Sequence, residues 1–353
     1  MIKGRKLKVA IVVPPIAGHK MRGTGNYTQN LYTALNKIQD VEVSLKTIDE
    51  IRYCTADVIH FPYFDPFFLT LPFIKSKPTV VTVHDLIPLR YPSHFPSGLK
   101  GFLKWNLQKI SLWSVDAVIT DSVSSQNDIE GFADIKKEKI HVIYLGVTPE
   151  FSKAYSKDYK EKVIKSLSLP QKFVLNVGDI NYNKNIPGLL KAFSVLVSRN
   201  SGLKLILVGE GFTRPSTELV QMTELMREME IEDKVLRVSS LDVLELAVVY
   251  QLAQVYVQPS FAEGFGLPVL EAFAAGCPVV VANTTSLPEV VGSAAVMFNP
   301  QNTDTLVKSI SLLLKDKGKR DYFISQGKKR AKLFTWEKCA RETAEIYRKF
   351  IHN

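Results

Sequence analysis

Two carboxylates eight positions apart, Glu263 and Glu271, flank a glycine loop in the stretch Pro259-Ser260-Phe261-Ala262-Glu263-Gly264-Phe265-Gly266-Leu267-Pro268-Val269-Leu270-Glu271. A carboxylate accepts hydrogen bonds from vicinal hydroxyls, which suits a hexose or a ribose. Val255-Tyr256-Val257 ahead of the loop reads as a buried strand. Pro268 sits where a first helical residue belongs, because its missing N–H would be unpaired there anyway, and Gly276 sits where a helix stops. Backbone N–H groups of Gly266 and Leu267 then point out of a helix N-terminus, a place that favours phosphate. With Glu263 in the loop and Glu271 on the first turn, both can face one ligand, and the chemistry described is capture of a sugar diphosphate. The plainer reading, acids answering a helix macrodipole, covers Glu271 but leaves Glu263, Gly264, Gly266 and Gly276 unexplained.

Such a loop needs a sheet to hold it. Buried-looking strands alternate with helix-length periodic segments along the chain, which argues for parallel sheets with helices on both faces. The expected strands lie near 9–13, 41–45, 58–61, 79–83, 117–120 and 140–144, then near 173–177, 203–208, 234–238, 255–257, 278–281 and 294–298. Between the two sets, Thr148 to Gln171 has the composition of a connector, with Pro149 and Pro170 at its ends. The chain is therefore read as α/β, with doubly wound parallel-sheet domains over 1–150 and 151–334. An amphipathic helix follows Phe334-Thr335-Trp336 to the end, over 335–353.

Other candidates sit at strand ends. Met21-Arg22-Gly23-Thr24-Gly25-Asn26-Tyr27 follows the first strand and opens a helix through Leu31 and Leu35; Gly23 and Gly25 can admit a diphosphate or simply form a turn. A third glycine is missing, so this is not a dinucleotide fingerprint. His84-Asp85 ends the strand Val80-Val81-Thr82-Val83, where doubly wound sheets hold ligands, although a lone His there is commonly structural. Val177-Gly178-Asp179 ends the first strand of the second half, with Lys184 following on a loop and Pro187 starting a helix. Ser124 is a candidate helix start.

On these motifs the chain resembles the retaining glycosyltransferases of family 4, and within them the mannosyltransferase-like group 1 enzymes. The family signature is Glu, seven residues, Glu around Gly-Phe-Gly-Leu-Pro, which Glu263 to Glu271 matches throughout. The resemblance implies the GT-B fold, two Rossmann-like domains facing across a cleft, with the tail helix crossing back to complete the N-terminal domain. It implies donor contacts from Gly23, Gly25, Gly178, Lys184, Glu263, Gly264, Phe265, Gly266, Leu267 and Glu271. Catalytic parts fall to His84, Glu263 and Lys184: Glu263 on the sugar hydroxyls, Lys184 on the diphosphate, and His84 beside the transferred sugar, stabilising its cationic form. Glu271 would bind the ribose. Asp121-Ser122 and Gly146-Val147 match two further landmarks, Gly209-Glu210-Gly211 would line the base pocket, and Glu289 reads as a helix-start acid. One departure stands out, since Asp179 occupies the position of a phosphate-binding Arg: either Lys184 and the helix termini carry that charge, or another base such as Lys20 or Arg22 reaches in across the cleft.

The implied activity moves a hexose, mannose by preference, from a nucleoside diphosphate sugar to an acceptor hydroxyl in polysaccharide or glycolipid assembly. No Asp-x-Asp occurs, so no metal or other cofactor is expected. A sugar-nucleotide epimerase of the same fold and a non-catalytic sugar-nucleotide binder are the alternatives. The partners implied are a nucleotide sugar and a glycan or lipid-linked acceptor.

Composition sets the frame. A chain of 353 residues, 46% hydrophobic and 23% charged, is that of a globular two-domain protein. Cys54, Cys277 and Cys339 lack metal spacing and fit a reducing cytoplasm. Lys3 to Lys8 before Val9 reads as a basic start and first strand, not a signal peptide, and no run reaches the length of a membrane helix. Of the net charge of +10, a surplus of seven lies in 315–353, twelve bases against five acids. A solvated helix face is the common meaning of such a surplus, an anionic membrane the functional one; no nucleic-acid motif accompanies it. His94 to Trp113 reads as a helix with Phe95, Leu99, Phe102, Leu103, Leu107 and Ile110 on one side and Lys100, Lys104 and Lys109 beside Trp105. That spacing suits a helix packed on its own sheet, the reading taken, while bases flanking aromatics also suit peripheral contact with the inner face of a membrane.

Overall fold

The computed structural model describes residues 5–13 and 23–351. Within them, runs of Val, Ile and Leu bounded by turn residues form β1 (Leu7–Val12), β2 (Val41–Lys46), β3 (Val58–Phe61), β4 (Thr79–Thr82), β5 (Ala117–Thr120) and β6 (Ile140–Val142). A second set follows: β7 (Phe173–Val177), β8 (Lys204–Val208), β9 (Val235–Val238), β10 (Val255–Gln258), β11 (Val279–Ala282) and β12 (Val296–Phe298). All twelve fall on the expected stretches. β3, β4, β5, β10 and β11 are buried along their whole length, as parallel strands covered on both faces must be.

Every pairing is parallel, in two six-stranded sheets ordered β2-β1-β3-β4-β5-β6 and β12-β11-β10-β7-β8-β9. The chain divides into two compact units: Met1–Gly146 with Phe334–Asn353, and Val147–Leu333. The first unit closes just ahead of the connector expected to begin at Thr148. That connector folds with the second unit, where Ser156 caps the helix Lys157–Ser166 by accepting from Tyr159 N–H. In the second sheet the order of connection reverses between β7 and β10, so the crevice beyond their carboxyl ends is where a doubly wound sheet holds ligand. In the first sheet the reversal lies between β1 and β3.

The tail helix Trp336–Arg348 belongs to the first unit. Trp336, Cys339, Ala340, Thr343, Ala344 and Tyr347 make its buried stripe at spacings of three and four, against the helix Gly23–Leu35. A buried polar chain ties this tail to the sheet. The Tyr347 hydroxyl meets His60 Nδ1 at 2.6 Å, His60 Nε2 meets Thr82 Oγ1 at 2.8 Å, and Thr82 Oγ1 meets the Tyr27 hydroxyl at 2.9 Å. Burial lowers the His60 pKa to about 3, with His84 adding to the effect, so the ring is neutral and links Tyr347 to Thr82 as one donor and one acceptor.

Two local expectations are corrected. Ser122 caps the helix Val123–Ala133, accepting from Ser125 N–H at 3.0 Å, in place of Ser124. The helix expected from His94 begins at Gly98, because Pro96 disfavours a helical residue before it, and it runs to Trp113. Its packing is the reverse of the reading taken. Gly101, Gln108, Ser111 and Leu112 face the protein, while Leu99 is 76% exposed, Phe102 57%, Leu103 55% and Ile110 51%. Gln108 explains the inversion: its Oε1 accepts from Thr70 N–H and hydroxyl and from Leu71 N–H, and its Nε2 donates to the Leu71 carbonyl. The basic run is divided as well, since Lys315 to Lys332 belong to the second unit and Lys338 to Lys349 to the first.

Where the tail crosses back, Gly146 leaves no room for a side chain. A Cβ there would stand 2.2 Å from Trp336 N and 2.5 Å from Thr335 C, both main-chain atoms. Gly146→Ala should therefore destabilise the first unit by about 1–3 kcal/mol. A lowered urea midpoint with earlier proteolysis of the tail is the expected result, and an unchanged midpoint would show that the crossing is not tightly packed.

Candidate active site

The two loops at the reversal of the second sheet are knitted together. After β7, Asn183 Nδ2 donates to the Ala262 carbonyl at 3.0 Å, and Phe261 N–H donates back to Asn183 O at 2.8 Å. Asn185, in the left-handed conformation at φ 50°, donates from Nδ2 to Pro259 O and Pro300 O. These bonds fix Lys184 opposite Glu263. Its Nζ donates to both carboxylate oxygens, at 2.9 and 2.8 Å, and Gln258 Nε2 and Ser260 Oγ each reach Oε1 at 2.6 Å. Glu263 is 8% exposed, and this set of donors satisfies both of its carboxylate oxygens. Lys184 thus has a protein partner besides the diphosphate expected for it.

Beyond Glu263 the chain enters the helix Leu267–Ala275 through Gly266, whose φ of 109° suits glycine. Pro268 is the second helical residue, not the first, and Glu271 is the fifth, on the second turn instead of the first. Ser286 Oγ holds the loop by donating to Glu263 O and Phe265 O, both at 2.9 Å. Gly264 and Phe265 are buried and Leu267 is half-buried. Glu271 is half-buried too, with Oε2 accepting from the Tyr250 hydroxyl at 3.0 Å. Desolvation by the surrounding protein raises its pKa to about 7, a rise that the Tyr250 bond only partly opposes.

At the neighbouring strand end, a Cβ on Gly209 would lie 1.8 Å from Gly178 O, and one on Gly211 would lie 2.3 Å from Asp179 Oδ1. The first of these turns therefore needs glycine, whereas at the second the nearest obstacle is the end of an exposed side chain that can move. Asp179 is exposed, its Oδ1 accepting from Ile180 N–H, and among the described residues no Lys or Arg forms an ion pair with it. Lys20 and Arg22, the expected substitutes for the absent Arg, lie outside the described residues.

In the first unit, His84 follows β4 and Asp121 follows β5. The His84 Nδ1 and Asp121 Oδ2 atoms are 2.5 Å apart, and His84 Nε2 donates to Pro62 O at 3.2 Å. Burial opposes charge on the ring, but the Asp121 carboxylate, assisted by Asp85 and the Pro62 carbonyl, raises the His84 pKa overall. Asp85 Oδ1 accepts from Ile87 N–H at 3.0 Å, the bond of a turn. Gly23 and Gly25 lie in the first turn of the helix Gly23–Leu35 and not in a loop before it. Among the described residues no three His, Cys, Asp or Glu side chains gather as a metal-binding group.

Comparison with known proteins accounts for both units. Residues 5–151 match the model of Glycosyltransferase Family 4, and residues 158–330 match that of Glycosyl transferases group 1. The chain belongs to the family 4, group 1 glycosyltransferases. It is 29% identical over 274 residues to the O-antigen chain mannosyltransferase B of Escherichia coli, covering 78% of this chain and 71% of that one. Sucrose-phosphate synthase from Thermosynechococcus elongatus superposes with a TM-score of 0.78 at 19% identity, covering 98% and 100% of the two chains. Anabaena HepE in complex with UDP and glucose does so with a TM-score of 0.75 at 17% identity, covering 96% and 99%. The fold of this glycosyltransferase is thus GT-B.

Sequence reasoning about the glycosyltransferase missed the partners of its candidate residues. Gln258 and Ser260 were legible as polar residues at the end of an otherwise apolar strand, which must find partners when buried. Tyr250 comes from a distant segment and gave no comparable signal, while Asp121 was legible only as part of a family landmark and not as the partner of His84. The Lys184–Glu263 pair makes a definite prediction. Lys184→Met strands a buried carboxylate and should cost about 1–3 kcal/mol, whereas adding Glu263→Gln should recover part of that loss. A double-mutant cycle in urea should give a coupling of about 0.5–3 kcal/mol; strictly additive effects would mean that the pair contributes nothing.

Proposed function

We propose that this glycosyltransferase moves mannose from a nucleoside diphosphate sugar to a hydroxyl of a lipid-linked or polysaccharide acceptor, with retention of configuration and without a metal ion. The observation that carries the donor reading is Glu263, held by Lys184, Gln258 and Ser260 at the sheet reversal beside a glycine-led helix N-terminus. Mannose is supported by the E. coli relative, a mannosyltransferase by name. Glu263 and the loop Gly264 to Leu267 orient the sugar, with Gly178 allowing close approach, and Glu271 accepts from the ribose hydroxyls. An ammonium has three N–H donors, so Lys184 can hold Glu263 and still reach a phosphate oxygen.

Transfer then runs on one face of the sugar. The bond from C1 to the phosphate oxygen breaks with its electrons going to the diphosphate, the acceptor oxygen bonds to C1, and its proton passes to the departing phosphate oxygen. Charge on the leaving group is met by Lys184 and by the N-terminus of the helix Leu267–Ala275, preorganised and costing no reorganisation. A sugar-nucleotide epimerase would need an acid and a base beside the sugar ring. No observation favours that reading.

The test is an assay of GDP-mannose with a mannan or lipid-linked acceptor in EDTA, with the anomeric configuration of the product read by NMR. Transfer to an α-linked product without added metal is expected; dependence on Mg²⁺ or an inverted product overturns the mechanism, and conversion of donor to an epimer overturns the function. Glu271 adds a pH signature. Its ionised form is the better acceptor, so the donor KM should fall as pH rises through about 7, and Glu271→Gln should flatten that dependence. A wild-type KM flat across this range would remove Glu271 from the donor site.

Peripheral contact with the inner face of a membrane is supported by the outward face of the helix Gly98–Trp113. Leu99, Phe102, Leu103 and Ile110 lie exposed there, and Phe68, 57% exposed, joins them under Lys104, whose Nζ stands 5.2 Å from its ring centroid. Ile74 nearby in sequence is 88% exposed. Monomers rarely leave so much apolar surface to water, and flanking lysines answer anionic headgroups at about 1 kcal/mol each at low salt. No helix among the described residues is long and apolar enough to cross a membrane. The protein should sediment with anionic vesicles and dissociate as salt rises, with Phe102→Ser/Leu103→Ser binding several-fold less; protein left wholly in the supernatant would point to a soluble acceptor.

A further inference from the structure

We infer that Asp121 is a positioning residue for the transfer reaction: it holds His84 as an imidazolium that donates from both ring nitrogens. The inference rests on the proposed transfer and on the place beside the transferred sugar that the family resemblance gives His84, and it adds a residue to which that reading gives no part. Asp121 sits directly after β5, 2% exposed, at the N-terminus of the helix Val123–Ala133, where the macrodipole favours a carboxylate.

The geometry leaves His84 little freedom. Nδ1 lies against Asp121 Oδ2 and Nε2 against the Pro62 carbonyl, and both partners are acceptors. A neutral imidazole carries one N–H and could satisfy only one of them, whereas the protonated ring satisfies both. The ring plane is fixed as well, because Tyr27 packs edge-on against it with centroids 4.7 Å apart at 87°. Tyr27 is itself held by Thr82, and through His60 by Tyr347 of the tail helix. The main chain is pinned by Ser125 Oγ, which donates to His84 O at 2.9 Å. Among the described residues the ionisable groups facing His84 are Asp121 after β5, Asp85 next to it in sequence, Tyr27 from the helix Gly23–Leu35 and His60 on β3. Of these the two carboxylates favour the charged ring. His60 is neutral, and burial raises the Tyr27 pKa well above its ordinary value, so neither adds charge at neutral pH.

A ring held in this way has no lone pair with which to take a proton from the acceptor. Its part is played from a fixed position at the strand end, which suits an enzyme whose departing phosphate takes that proton. Asp121 keeps the pair neutral overall, and its other oxygen, Oδ1, is buried without a hydrogen-bond partner. Among the described residues no other side chain is hydrogen-bonded to this carboxylate.

The experiment follows His84 by ¹⁵N NMR of the histidine ring through a pH titration, in wild type, Asp121→Asn and Asp121→Glu, with transfer kinetics alongside. In wild type both ring nitrogens should read as N–H above the ordinary histidine midpoint. Asp121→Asn should move the midpoint to lower pH and reduce kcat on the order of 100-fold with little change in donor KM. Asp121→Glu should restore part of both. If Asp121→Asn does not fold, the wild-type ring shifts decide alone, since a neutral His84 near pH 7 overturns the inference. An unmoved midpoint in Asp121→Asn overturns it as well. If the midpoint shifts as expected while the wild-type protein transfers no sugar, the clamp stands and the function assigned to it falls.

Discussion

A buried carboxyl group whose oxygens must all find donors is the constraint around which the second unit is organised. Glu263 keeps 8% of its surface, and an acid left without partners in such a place would disrupt the loop. Four hydrogen bonds from Lys184, Gln258 and Ser260 avert that, and they come from three places that must all be fixed at once. Gln258 is the last residue of β10, Ser260 is in the loop, and Lys184 lies beyond β7. β7 and β10 are adjacent in the sheet, which brings the loops within reach. The exchange of bonds among Asn183, Asn185 and the 259–262 backbone then sets their spacing.

The first unit solves a related problem with a different pair. His84 and Asp121 also stand after adjacent parallel strands, β4 and β5, so the register of the sheet determines their separation. Here an imidazole and a carboxylate answer each other. The chain from Tyr347 through His60 and Thr82 to Tyr27 runs beneath the pair, so the last helix of the sequence supports residues near its beginning. Such a network is fully satisfied only when the tail is docked. The returning helix thereby becomes part of the construction of the site and not merely a cover for the sheet.

Much of this was legible in the chain. The strands were, because parallel strands buried on both faces carry unbroken runs such as Val279 to Val281, and so was the glycine loop with its two glutamates, because the residues that chemistry needs there are consecutive. What could not be read was the pairing of side chains across distance. Lys184 and Glu263 are 79 residues apart, and His84 and Asp121 are 37. Neither separation leaves a local trace, whereas their individual positions at strand ends do. Lys184 illustrates the cost of this: a base on a glycine-bounded loop suggests phosphate, and only the fold discloses the carboxylate opposite.

The helix Gly98–Trp113 shows a different limit. It carries two stripes, one of Leu and Phe and one of Gly101, Gln108 and Ser111, and periodicity reports that both exist without saying which faces the protein. Burial of the apolar stripe would have been favourable at about 25 cal/mol per Å². The polar stripe is buried instead, and it is specific: Gln108 caps the turn at Thr70 and Leu71, and Ser111 Oγ donates to Pro72 O at 2.7 Å. A water-exposed strip of Leu99, Phe102 and Leu103 carries a solubility cost that folding of this unit does not require. Its retention beside lysines is therefore an argument about surroundings, since the same strip is stabilising wherever an apolar, anionic-edged phase meets it.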